Sequence, residues 1–180
     1  MKLFSINLLI LAFLLLAIDA YSQGSIKFGL SAGGVISLGE VRRAHPNGIK
    51  FGFSEVFLIK PPYISIVAGQ EYSKLSLTNE RNYHLIRTSF DKEDLEYLSL
   101  YLGPRVGNEY GPFLMSSMIM SSATTDMWIG VDVGVGYSFR LYGFIHTLDM
   151  TTKMRWLNTI KHNKNEKMLQ VIDLNITLYF

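Results

Sequence analysis

The chain has 180 residues, 17 Lys and Arg against 15 Asp and Glu, and no cysteine. That length suits one domain with its own interior. The missing cysteines exclude a disulfide framework, a CxxC metal site, a thiol nucleophile and a lipid anchor attached through cysteine. The formal charge of +2 gives no ground to expect nucleic acid as a partner.

The chain begins "MKLFSINLLILAFLLLAIDAYSQG", with one lysine ahead of an apolar run from about Ile6 to Ile18 and small residues at Ala20 and Ser22. This is the layout of a secretory signal peptide, and the run is short for a spanning helix. Cleavage is expected after Ser22, which divides the chain into a signal peptide over 1–22 and one exported domain over 23–180.

From there the sequence reads as strand after strand, rich in Val, Ile, Thr, Tyr and Phe with apolar residues at period two. The first predicted strand spans about 25–38, with Ile26, Phe28, Leu30 and Ala32 opposing Lys27, Gly29, Ser31 and Gly33. The second, about 49–59, puts Ile49, Phe51, Phe53, Phe57 and Ile59 on one face together with Glu55. The third, about 63–77, changes phase near Gln70–Lys74, as a β-bulge would make it do. The fourth, about 95–106, sets Leu98, Leu100 and Leu102 against Tyr97, Ser99, Tyr101 and Gly103. The fifth, about 113–121 ("FLMSSMIMSS"), barely separates its faces. The sixth, about 127–139, alternates cleanly through "GVDVGVGYSF". The seventh is expected over about 142–156. The eighth, about 168–180, sets Ile172, Leu174, Ile176, Leu178 and Phe180 against Val171, Asp173, Asn175, Thr177 and Tyr179.

Connections alternate in length. The stretches near 39–48, 78–94 and 157–167 are long, whereas Lys60-Pro61-Pro62, "GNEYG" at 107–111 and Arg140-Leu141 are short. All five prolines fall in connections or at strand ends, where a missing N–H does least harm.

Alternation has two physical solutions. A soluble sandwich or lipocalin-like barrel turns the apolar residues inward, and a membrane barrel turns them outward. Three signs favour the second. Gly29, Gly33, Gly52, Gly103, Gly130, Gly134 and Gly136 all share the polar phase, as a narrow lumen needs. Aromatic residues gather at strand ends: Tyr137, Phe139, Tyr142, Phe144, Tyr110, Phe113, Tyr63, Tyr179 and Phe180 at the short-turn end, Trp128 and Trp156 at the other. Such girdles mark lipid–water boundaries. Short turns at one end and long loops at the other complete the pattern.

The signal peptide, the eight strands, "YLGPRVGNEYGPFLM", "GVDVGVGYSF" and the final "DLNITLYF" together resemble the small outer-membrane β-barrel domain family, the OmpA-, OmpW- and OmpX-like, porin-family-like barrels of Gram-negative bacteria. The resemblance covers nearly all of 23–180. It implies an all-β, eight-stranded antiparallel up-and-down transmembrane barrel, a monomer in the outer membrane among lipid and lipopolysaccharide. It also implies that the last strand, ending on Phe180, is read by the barrel-assembly machinery. It stops at the last strand, so no C-terminal peptidoglycan-binding domain is expected.

On the lumen phase lie Lys27, Lys50, Glu71, Arg105, Asp132, Asp149, Lys153, Arg155 and Asp173. An eight-stranded lumen is just wide enough for its own side chains, so these charges are expected to fill it as an ion-pair network rather than to line a pore. Of the histidines, His45, His84 and His162 fall in predicted loops. His146 falls in the predicted seventh strand, in phase with Phe144 and Leu148 and without a His-x-Ser arrangement. No nucleophile–base–acid set and no metal-ligand spacing emerge, so no catalytic, cofactor or metal residue is assigned. Arg42, Arg43, Arg81, Arg87, Lys161, Lys164 and Lys167 give the long loops a cationic surface able to meet lipopolysaccharide phosphates. The reading is a barrel of structural or loop-mediated recognition role without catalysis. The alternatives are a lipid-modifying barrel enzyme and a secreted lipocalin-like barrel for a small hydrophobic ligand.

Overall fold

The structure, a computed structural model, describes residues 26–39, 41–43, 45–60, 64–77, 94–123, 126–157 and 168–180. The signal peptide, Tyr63, His84, His162, the cations from Arg81 to Arg87 and those from Lys161 to Lys167 lie outside them. Eight strands run in chain order: β1 (Ile26–Ser37), β2 (Asn47–Lys60), β3 (Ile64–Leu75), β4 (Leu95–Gly107), β5 (Gly111–Ala123), β6 (Asp126–Arg140), β7 (Thr147–Leu157) and β8 (Leu169–Tyr179). A single 3₁₀ turn, η1 (Val41–Arg43), follows β1. Every strand pairs antiparallel with its chain neighbours, and β1 pairs with β8 from Gly29 opposite Tyr179 to Ser37 opposite Val171, which closes the sheet. Closure leaves no unpaired strand edge.

The pleat sends successive side chains to opposite sides, so the period-two pattern becomes an inside and an outside. Outward stand Leu30, Phe51, Leu102, Leu114, Met118, Val133, Val135 and Leu174, all exposed. Inward stand most of the strand glycines and the nine lumen-phase charges. Three glycines face an aromatic residue directly across the strand pair: Gly29 with Tyr179, Gly69 with Tyr101 and Gly136 with Phe113. A Cβ on Gly29 would sit 2.6 Å from the Tyr179 ring, and one on Gly69 or Gly136 would strike Tyr101 or Phe113. The inward glycines make room for rings that lie across them, which lets a narrow barrel stay filled.

Several expectations are corrected. Phe113, Tyr179 and Trp128 are not girdle residues; all three are buried inside, with Trp128 6.1 Å from the Tyr97 ring. Space over inward glycines, or beside Tyr97, takes these rings. Exposed Tyr137, Phe139, Tyr142 and Phe144, and Phe180 beside Phe144 at 5.3 Å, do form an outer aromatic belt at the short-turn end. The fifth strand does separate its faces, with Phe113, Met115, Ser117, Ile119 and Ser121 inward and Leu114, Ser116, Met118, Met120 and Ser122 outward. Polarity misleads there because part of the interior is apolar.

The third strand keeps one phase throughout; the register irregularity lies between Leu58 and Lys60 on β2 instead. Gln70 and Lys74 are polar residues on the outer side, which mimics a phase change. The seventh strand starts at Thr147, not 142. Gly143, at φ 113°, takes a left-handed conformation that breaks the ladder, and the Leu141 N–H donates to the His146 carbonyl across the connection.

Candidate functional site

The lumen gathers every charge that the alternation placed on its phase, and these groups stack in layers. At the long-loop end Leu75, Leu95, Trp128, Leu157 and Leu169, with Val41 of η1, form an apolar plug, all buried.

Below the plug sits a cluster of three cations and three carboxylates. Lys50 Nζ lies 3.1 Å from both Glu71 Oε1 and Asp173 Oδ2. Arg155 Nη2 donates to Glu71 Oε2 at 2.6 Å, and lies 3.2 Å from Asp173 Oδ2 and 3.4 Å from Asp132 Oδ2. Lys153 Nζ stands farther off, 3.9 Å from Glu71 and 4.0 Å from Asp132, over the Tyr101 ring at 4.6 Å. Register explains part of this arrangement. Asp132 is directly opposite Arg155 on β6 and β7, and Lys153 is directly opposite Asp173 on β7 and β8. Lys50 and Glu71 sit between small residues, Gly33 and Ser73 for one and Gly52 and Ser99 for the other. That freedom lets both reach across the lumen. With charges balanced and side chains almost wholly inaccessible, the cluster is compensated inside rather than solvated.

Nearer the short turns, Arg105 donates to Asp149 Oδ2 at 2.6 Å and to Ser138 Oγ at 2.5 Å, while Ser138 donates to Asp149 Oδ1. The Arg105 guanidinium also stacks 3.7 Å from the Phe113 ring. At the mouth Lys27 pairs with Glu109 at 2.7 Å. Burial works against ionisation of Glu109, but the hydrogen bond and charge of Lys27 outweigh it and hold the carboxyl below its usual range. Glu109 escaped the sequence reading because it lies in a turn; the signal was Lys27, a lumen-phase cation at the same end.

Among the described residues, small cavities interrupt this packing, one of about 20 Å³ at the Lys27–Glu109 mouth and one of about 10 Å³ beside Arg105, Asp149 and Lys153. A water needs roughly 10–15 Å³, so each is about the size of a single water. The lipocalin-like alternative requires a roomy apolar cavity, and neither of these two is one.

The outer rim at the long-loop end carries a second ionic group. Lys74 lies 2.9 Å from Asp94 and 3.0 Å from Glu96. Those hydrogen bonds hold its ammonium pKa above the usual range. The Leu77 amide, then Lys74, holds Asp94 below the ordinary carboxylate range, and bonds from Lys74 and Tyr72 do the same for Glu96.

The two described histidines, His45 and His146, do not converge. His45 is buried beyond η1, its amide donating to the Val41 carbonyl, whereas His146 is exposed and precedes β7 instead of lying in it. The hydroxyl best placed beside an acid, Ser138, is bound to Arg105 and Asp149 and has no histidine with it. Among the described residues no group of three His, Asp or Glu is close enough to hold a metal ion.

No family model and no curated protein matches the chain. Among solved structures, Neisserial surface protein A superposes with a TM-score of 0.58 at 14% identity, covering 86% of this chain and 96% of that one. Ail of Yersinia pestis, solved with the heparin analogue sucrose octasulfate, gives 0.44 at 12% identity over 87% of this chain and 99% of its own. The outer membrane protein OprG of Pseudomonas aeruginosa gives 0.44 at 9% identity over 86% and 94%. The chain has the closed eight-stranded, up-and-down barrel fold of which Neisserial surface protein A is an example.

Proposed function

We propose that this protein is an integral barrel of a Gram-negative outer membrane, exported with a cleaved signal peptide. In this reading it is a monomer that conducts no solute and works as a structural element or through recognition by its long loops. One observation carries the reading: the outer wall is predominantly apolar on every strand, while nine charges and most of the strand glycines are turned inside. Hydrocarbon offers no partner for a free N–H or C=O, so only a closed sheet with such a wall can cross it. The ionic cluster beneath an apolar plug supports a filled interior over a pore. The outer aromatic belt, which includes the exposed Phe144 beside Phe180, suits a lipid–water boundary. Contact with lipopolysaccharide through the cationic loops, and docking of the β8 end on the assembly machinery, belong to the same proposal.

Cell fractionation tests it: the full-length product should sediment with outer membranes, and the unboiled, detergent-folded chain should migrate differently from the boiled one. A chain that stays soluble without detergent would refute the membrane reading.

A further inference from the structure

This inference rests on the membrane reading. The outward row of β2 runs Ile49, Phe51, Phe53, Glu55, Phe57, Ile59. Glu55 therefore stands on the wall, with three apolar residues of the row on one side of it and two on the other. It is only 2% exposed, and its Oε2 makes no hydrogen bond. Its direct cross-strand neighbours are Phe28 on β1 and Ala68 on β3. The diagonal outward positions are Ile26 and Leu30 on β1, Ile66 and Gln70 on β3. No titratable or charged group faces it from either strand, because Lys27 and Glu71 point into the lumen and are paired there. The next outward charge on β3, Lys74, sits opposite Ile49 at the rim and holds Asp94 and Glu96.

An unpaired carboxylate in hydrocarbon is costly enough that such groups neutralise instead. In the unfolded, water-exposed chain a glutamate is ionised near neutral pH. We infer that Glu55 is a proton-binding site on the outer wall: the chain takes up one solvent proton at this carboxyl as it enters the bilayer and carries it there as the neutral acid. Folding linked to one proton weakens as pH rises, because the unfolded state sheds the proton that the inserted state must keep. For a single site the folding equilibrium falls by up to about tenfold per pH unit above the unfolded value.

The test uses the chain refolded from urea into phosphatidylcholine vesicles between about pH 5 and pH 9, a window that begins above the free glutamate range. The folded fraction is read by gel mobility without boiling, for the unmodified protein, Glu55→Gln and Glu55→Leu. Lumen acids titrate in all three and cancel in the difference. Glu55→Gln should match the unmodified protein at the acid end and exceed it increasingly toward alkaline pH, and Glu55→Leu should be at least as well folded throughout. Parallel curves for the unmodified protein and Glu55→Gln, with both inserted, would overturn this inference and leave the membrane reading standing. A chain that ignores the vesicles altogether would sink both.

Discussion

Lys50 and Lys74 make the same contacts on opposite sides of the wall. Each holds two carboxylates, Lys50 at 3.1 Å and 3.1 Å inside the lumen, Lys74 at 2.9 Å and 3.0 Å on the rim. Side-chain exposure separates them, at 1% for Lys50 and 38% for Lys74. Distance therefore says little about what a salt bridge does. A buried charge cannot turn to water when its partner is removed, whereas an exposed one is rehydrated at once.

The sharpest way to break this comparison is to remove each lysine. Lys50→Met leaves Glu71 and Asp173 sharing Arg155 with one cation too few. It should cost about 3–5 kcal/mol, seen as a lower urea midpoint for the vesicle-inserted barrel. On the outer side the corresponding error is to add a charge. Leu174→Arg or Val133→Arg, if near the midplane, should cost about 2–4 kcal/mol and reduce insertion in the same assay. Next comes packing. A Cβ at Gly103 would collide with the Ser116 carbonyl and crowd Ser117 Cα, which are backbone atoms on β5 and slow to yield. Gly103→Ala should therefore lose about 1–3 kcal/mol, while Gly34→Ala, with nothing nearer than the Gly48 carbonyl at 4.0 Å, should change thermal stability far less.

The smallest effect belongs to the rim. Lys74→Met should leave the urea midpoint almost unmoved at neutral pH. Asp94 and Glu96 are held below their ordinary range in the folded state. Their contribution is present above the unfolded carboxylate range and fades as pH falls through the lower folded values. Urea titrations below the ordinary carboxylate range should show a slight acid-side loss in the unmodified protein that is reduced in Lys74→Met. A large loss for Lys74→Met, or a small one for Lys50→Met, would reverse the comparison.

Much of the wall and lumen was legible in the sequence. Parity put all nine lumen-phase charges on one face, because the pleat leaves a strand residue only two directions, and the glycines sharing that face marked it as the inner one. It placed Glu55 on the outer row for the same reason. Aromatic residues near strand ends were misread where polarity could not decide. Phe113, Tyr179 and Trp128 suit a membrane boundary in isolation, but they fill room over glycines or beside Tyr97 that exists only once the barrel closes. Gln70 and Lys74 looked like a slip of phase, since nothing in a single strand tells a polar residue on the outer side from one turned inward. The absence of any catalytic or metal assignment rests on patterns of residue type and spacing alone.

What the linear chain determined by itself was the pair of faces, because backbone geometry repeats every two residues whatever the neighbours do. What only the tertiary structure decided was who meets whom. Asp132 meets Arg155 through the β6–β7 register. Arg155 on β7 reaches Glu71 on β3 because closure brings strands far apart in the chain within one side-chain length. That distance depends on strand number and register together, and no single segment encodes either.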